Sequence, residues 1–80
     1  MLMVAEAMVL LRAHPGAEKK IIDELVTLDQ VKDADIVFGE WDVVFSVVLE
    51  DVSQLNEFML NCIRPIGGIN QTSTLIVAQK

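Results

Sequence analysis

Eighty residues are enough for one domain, expected to span residues 1–80, and leave no room for a linker or a second core. Twelve acids against six bases give a formal net charge of −6, and no Lys/Arg stripe is present to neutralise phosphates, which argues against direct nucleic-acid binding. The 52% hydrophobic content is high for so small a domain, yet no apolar stretch approaches the roughly 20 residues of a bilayer span. A soluble, cytoplasmic chain with no membrane partner is the expectation. The opening MLMVAEAMVLLR carries Glu6 and lacks both a basic lead and a cleavage site, so it does not read as a signal peptide. The lone Cys62 excludes an internal disulfide and a cysteine metal cluster.

Residues 4–12, VAEAMVLLR, are apolar on both parities and stop at Pro15-Gly16, which reads as a first strand. Residues 17–29 set Ile21, Ile22, Leu25 and Leu28 at helical spacing, with Glu18 in the first turn where the helix dipole favours an acid. Residues 31–38 place Ala34, Ile36 and Phe38 on one face and Asp33, Asp35 and Val37 on the other, a strand wet at its start and dry at its end. Gly39 to Asp42 then make a hairpin connection into a third strand, residues 43–50.

That third strand, VVFSVVLE, is apolar on both faces apart from Ser46. Asp51 follows as an N-cap, with Gln54 at the far corner of a capping box and Leu55, Phe58, Met59, Cys62, Ile63 and Ile66 as the apolar stripe of a second helix. Cys62 on that stripe reads as a buried small hydrophobe. Pro65 and Gly67-Gly68 end the helix near Arg64, and Ile69 to Val77 supply a β-rich last strand. The order β-α-β-β-α-β is the α+β, ferredoxin-like arrangement: a four-stranded antiparallel sheet with two helices on one face.

Two helices on one face leave the other face bare, so a second copy is expected to cover it sheet against sheet. Leaving six Val, Leu or Phe side chains in water would forgo roughly 1.5 to 3 kcal/mol each, an upper bound that rivals the net stability of a domain. Either parity of the third strand could turn to the partner; Ser46 favours the set Val44, Ser46, Val48.

GEWD ahead of an apolar strand, the unit HPGAEKKIIDEL and the ending IRPIGGINQTSTLIV together resemble the ligand-sensing (RAM) domain of the Lrp/AsnC feast-famine regulators, over residues 3 to 78. The resemblance implies a non-enzymatic module tied to transcription regulation, with dimers joined into rings such as octamers or decamers. It also implies an amino-acid-like effector held where dimers meet, between the G-x-x-D loop of one and the last strand of a neighbour. Full-length members carry a helix-turn-helix, and nothing of the kind precedes residue 3, so a stand-alone sensing module is expected.

On that resemblance the candidate ligand-binding residues are Gly39, Trp41, Asp42, Gly68, Thr72, Ser73 and Thr74, with no catalytic residue, metal ligand or cofactor. Asp42 offers an acceptor to an α-ammonium, and the hydroxyls with backbone N–H groups near Gly67 and Gly68 offer donors to a carboxylate. Gly39 lets a ligand approach the backbone. Against this, Gly39 and Asp42 are also ordinary hairpin residues, threonines are ordinary strand residues, and Trp41 serves equally to pack the hairpin, wall a pocket or anchor a subunit.

His14 has no Cys or second His to join it, and Asp33, Asp35, Glu40, Glu50 and Asp51 are spread over strand ends as a solvated rim. Two alternatives to sensing remain: a ligand-free assembly partner of a full-length Lrp/AsnC regulator, and a small dimeric ferredoxin-like enzyme such as a monooxygenase, for which only His14 is on offer. With neither a recognition helix nor a basic surface, this chain alone is expected to show no sequence-specific DNA binding in a gel-shift assay at physiological salt.

Overall fold

Along the strand Val43–Leu49, every second side chain is sealed from water and the intervening ones are half-buried. Val43, Phe45, Val47 and Leu49 point into the core, which leaves Val44, Ser46 and Val48 on the face that no helix covers. The parity carrying Ser46 is therefore the bare one, as its hydroxyl suggested. The computed structural model describes residues 4–78. Its elements are β1 (Ala5–Ala13), α1 (Glu18–Leu25), β2 (Val31–Ile36), β3 (Val43–Leu49), α2 (Leu55–Phe58) and β4 (Ile69–Ile76), with sheet order β2-β3-β1-β4.

All three strand pairings are antiparallel, and β1 lies in the middle against β3 and β4. Ala7, Val9 and Leu11 of β1 join the core beside Ile21 and Leu25 of α1 and Leu55 and Phe58 of α2, continued by Ile63 and Ile66. The even positions of β1 stand on the bare face, where Met8 pairs with Ser46 and Leu10 with Val44. Leu75 of β4, paired with Met8, extends that apolar surface. The βαββαβ fold with two helices on one side of the sheet is thus the observed architecture.

Three elements depart from the expected bounds for identifiable reasons. α1 ends at Leu25 rather than at residue 29, because the exposed Thr27 side chain bends back on the chain: its Oγ1 donates to the Glu24 carbonyl at 2.7 Å while Thr27 and Leu28 N–H groups make short-span bonds to Glu24 and Leu25. β2 does not alternate as read. Asp33 adopts φ 53, and Asp33 with Ala34 bulge between the pairs Lys32↔Ser46 and Asp35↔Val44. The parity changes across the bulge, so that Val31 and Ile36 both pair with core positions of β3; Ala34 packs on the core, whereas Ile36, opposite Val43 at the end of the strand, and Phe38 in the loop beyond it are exposed.

The second helical segment starts as expected, with the Asp51 carboxylate accepting from Ser53 N–H at 3.1 Å and Gln54 Oε1 accepting from Asp51 N–H at 3.2 Å. It is not one α-helix, however. A 3₁₀ turn (Val52–Gln54) leads into α2, and a wider π turn (Met59–Ile63) follows. Arg64 N–H donates to the Met59 carbonyl at 2.9 Å. Pro65 accounts for the widening, since its ring would crowd the Asn61 carbonyl and it has no N–H to donate there. Cys62, expected in the core, is half-buried and packs against it.

Gly68 joins this segment to β4 with φ +96, and a Cβ there would sit 2.7 Å from the Ala17 Cβ at the start of α1. Gly39 also has a positive φ, +132, but open space around it. Gly68→Ala is therefore expected to lower unfolding stability by about 2–4 kcal/mol, from backbone strain plus overpacking, and Gly39→Ala by about 1–2 kcal/mol from strain alone. Urea denaturation of the two variants side by side measures the difference.

Candidate functional site

The connection between β2 and β3 is longer than a four-residue hairpin loop and is tied to the end of β1. Val37 N–H donates to the Asp42 carbonyl at 2.9 Å, closing residues 37–42 into a loop. Asp42 N–H donates to the Leu11 carbonyl at 2.9 Å, and Asp42 Oδ2 accepts from Ala13 N–H at 2.8 Å. Asp42 is therefore a fastener as well as a candidate ligand group: its side chain bridges to the strand next door. Among the described residues no donor engages Oδ1, which leaves one carboxylate oxygen for another molecule.

Trp41, half-buried, lies beneath Arg12, whose guanidinium carbon is 5.2 Å from the ring centroid. Arg12 also stands 3.9 Å from Glu40 Oε2, an exposed and loose ion pair. So Trp41 serves the loop by stacking on β1, and Arg12, not anticipated from the sequence, is the residue that holds it there. The signal that could have found Arg12 is parity: it continues the Glu6, Met8, Leu10 series on the bare face. Among the described residues its buried Nε finds no acceptor.

At the other side of β1, His14 N–H donates to the Gly68 carbonyl at 2.8 Å, which places Gly68 beside the end of the same strand. Gly68 acts here through close packing on Ala17. Further along β4, Thr72 pairs with Leu11 and Thr74 with Val9, both on the helix side of the sheet. Ser73 pairs with Leu10 and so lies on the bare face. The structure thus gathers Trp41, Asp42 and Gly68 around the end of β1 and sets Thr72 one strand away. Ser73 is separated from the two threonines by the sheet itself.

Thr72 and Thr74 line an open groove of ≈ 660 Å³ between β4 and the second helical segment. Its walls are apolar at Leu55, Met59, Leu60 and Ile76, with Arg64 and Asn70 at the polar end. The groove exists because β4 is an edge strand whose helix-side residues extend beyond the helices. A second groove, ≈ 430 Å³, runs past Gln30, Glu50, Glu57, Asn61 and Cys62 and contains none of the expected residues. Among the described residues no group of His, Cys, Asp and Glu side chains could hold a metal ion, and no helix is long and apolar enough to cross a membrane.

A ferredoxin-like sheet with one uncovered apolar face and a groove at its last strand defines a small α+β module with two surfaces that its own helices leave open. The chain belongs to the Lrp/AsnC ligand binding domain family, whose sequence model matches residues 6–80. It is 31% identical over 71 residues to an uncharacterized HTH-type transcriptional regulator of Pyrococcus abyssi, covering 89% of this chain and 45% of that one. The chain spans about half the length of the curated relatives it matches. Among solved structures it resembles FFRP-DM1 at 32% identity and TM-score 0.86, covering 94% of this chain and 99% of that one. A transcriptional regulator of Neisseria meningitidis, solved as an L-Met complex, shares the fold at TM-score 0.86 and 14% identity, covering 95% of this chain and 51% of that one. The curated relatives are transcriptional regulators, so the family is a regulatory one.

The fastening role of Asp42 gives a direct test. Asp42→Ala removes the acceptor for a part-buried N–H and is expected to cost about 1–2 kcal/mol of stability, whereas Asp42→Asn, whose amide oxygen still accepts, is expected to cost less than half of that. Thermal and urea unfolding of both variants separates the two values.

Proposed function

We propose that this chain is a non-enzymatic sensing and assembly module that binds a small amino-acid-like effector and couples that binding to the association of its copies in transcription regulation. The observation that carries the reading is the β4 groove. Two hydroxyls, Thr72 and Thr74, stand beside an apolar wall of Leu55, Met59 and Ile76, which suits a small molecule with a polar end and an apolar side chain. The L-Met complex of the Neisseria regulator supports the ligand class for the family.

Pairing of two copies through the bare sheet face belongs to the same reading. Met8, Leu10, Val44, Val48 and Leu75 form an apolar surface that a monomer leaves partly in water. Dimers then meet so that the groove of one is completed by residues 39–42 of a neighbour. Thr72 and Thr74 donate to the effector carboxylate, and Asp42 Oδ1 from the neighbour accepts from its ammonium while Oδ2 keeps its bond to Ala13. Gly39, with open space around it, lets the ligand reach the loop backbone.

Calorimetric titration with the common amino acids, with particle size followed in parallel, tests this. Wild type is expected to bind at least one of them. Asp42→Asn, which keeps the fastening bond but loses the charge, should bind that ligand about ten- to hundred-fold more weakly, equivalent to roughly 1.5–3 kcal/mol. Thr72→Ala should lose less, since it removes one neutral donor. If wild type binds none, sensing is replaced by the role of a ligand-free partner of a full-length regulator.

A further inference from the structure

The groove of ≈ 430 Å³ beside Cys62 has no part in the reading above, and it lies on the other flank of the second helical segment from the β4 groove. Leu55, Asn56, Met59 and Leu60 line the β4 side, whereas Glu57, Phe58, Asn61 and Cys62 line the side toward the end of β3. Gln30 and Glu50 form the facing wall, and Val48 N–H ties that wall together by donating to the Gln30 carbonyl at 2.9 Å. Leu49 and Phe58, both nearly sealed from water in the core, make an apolar floor. The volume falls within the range of small-molecule sites, roughly 300–1,000 Å³.

The walls present acceptors and no cation. Glu50 and Glu57 come from different elements, and among the described residues neither carboxylate has an ion pair or a hydrogen bond. The amide oxygens of Gln30 and Asn61 add two neutral acceptors to the same walls. Beyond Cys62 the furrow continues into a smaller hollow whose one lining base, Lys20, is spent on Glu24 at 3.0 Å.

That lining selects its ligand by charge and shape. A metal ion is a poor match, since among the described residues no three His, Cys, Asp or Glu side chains gather to hold one. An α-amino acid would bring its own carboxylate against Glu50 and Glu57. An alkylammonium group, with three donors and no acceptor, suits a wall of acceptors, and its methylenes can lie on an apolar floor as a lysine stem does. Two carboxylates on facing walls call for two such charges. We propose that the groove between the end of β3 and the second helical segment binds a short aliphatic diamine, with Glu50 and Glu57 each taking one ammonium and Leu49 and Phe58 carrying the methylenes between them. The site shares no residue with the β4 groove and does not rest on effector binding there.

Cys62 gives the test a local readout, because it is the chain's only thiol, half-buried, and lines this groove. 1,4-Diaminobutane is titrated calorimetrically into the chain at low salt, while the rate of Cys62 alkylation by iodoacetamide is followed over the same concentrations. Saturable binding is expected, with alkylation slowing in step with occupancy. Butylamine, with a single charge, should bind about three- to ten-fold more weakly, and Glu50→Gln and Glu57→Gln, both at exposed positions, should each weaken the diamine by a similar factor. Glu18→Gln, which removes an acid outside the groove, and Asp42→Asn should bind it as wild type does. The proposal is overturned if millimolar diamine gives no saturable binding, or if butylamine binds as tightly as the diamine. It is equally overturned if Glu18→Gln or Asp42→Asn weakens binding as much as the groove variants, or if binding leaves Cys62 unprotected, since the diamine is then a counter-ion of the acidic surface at large. Failure of the amino-acid titration sinks effector sensing alone, and failure of the diamine titration sinks this site alone.

Discussion

β1 and β3 carry apolar side chains on both of their faces, and the chain has helices for only one. Every other arrangement in the molecule follows from that mismatch. The helix side collects Val9, Leu11, Val43, Phe45 and Val47 into a dry interior with Ile21, Leu25 and Ile63, while the same strands turn Met8, Leu10, Val44 and Val48 outward. Burial of each such side chain is worth roughly 1.5–3 kcal/mol, so a surface of this kind drives association wherever a complementary one is at hand. The sheet is in effect half of a sandwich.

The architecture was legible because its signals are periodic or local. Alternation on β3, the single hydroxyl of Ser46, the Asp51/Gln54 capping box and the punctuation at Pro15-Gly16 and Gly67-Gly68 each depend on residues close in sequence. What escaped depends on geometry that no short window records. The bulge at Asp33 shifted the parity of β2, the Thr27 hydroxyl cut α1 short, and Pro65 drew the last helical turn into a π form. Thr27 and Pro65 each act on backbone earlier in the chain and Asp33 departs in its own φ, and a pattern of hydrophobicity has no term for either.

The candidate site was less legible, for a related reason. Thr72, Ser73 and Thr74 look like one polar cluster in sequence, but a strand sends neighbours to opposite faces, so only the two threonines share the groove. Asp42 was read for its charge, whereas its bond to Ala13 spans 29 positions and becomes visible only when β1 and β3 lie side by side. Arg12 lay hidden among hydrophobic strand residues until Trp41 was placed beneath it. The resemblance to a known family pointed to the loop before β3 and to β4 as candidates, and the register of β1 against β3 and β4 shows how those residues lie relative to one another.

The bulge in β2 has a bearing on how copies avoid the wrong association. β2 and β4 are the two edges of the sheet, and an edge invites a further strand to add by backbone hydrogen bonding. On β2 that invitation is withdrawn: Asp33 breaks the ladder with its left-handed backbone, and Lys32, Asp33 and Asp35 surround the break with charge. β4 offers the smoother edge, uncharged from Ile69 to Ile76. A sheet that can be extended on one side only pairs once and stops, because growth into a fibril requires two receptive edges. The irregularity therefore acts as a terminator on that edge, so that strand addition to a chain more than half hydrophobic finds one regular edge and not two.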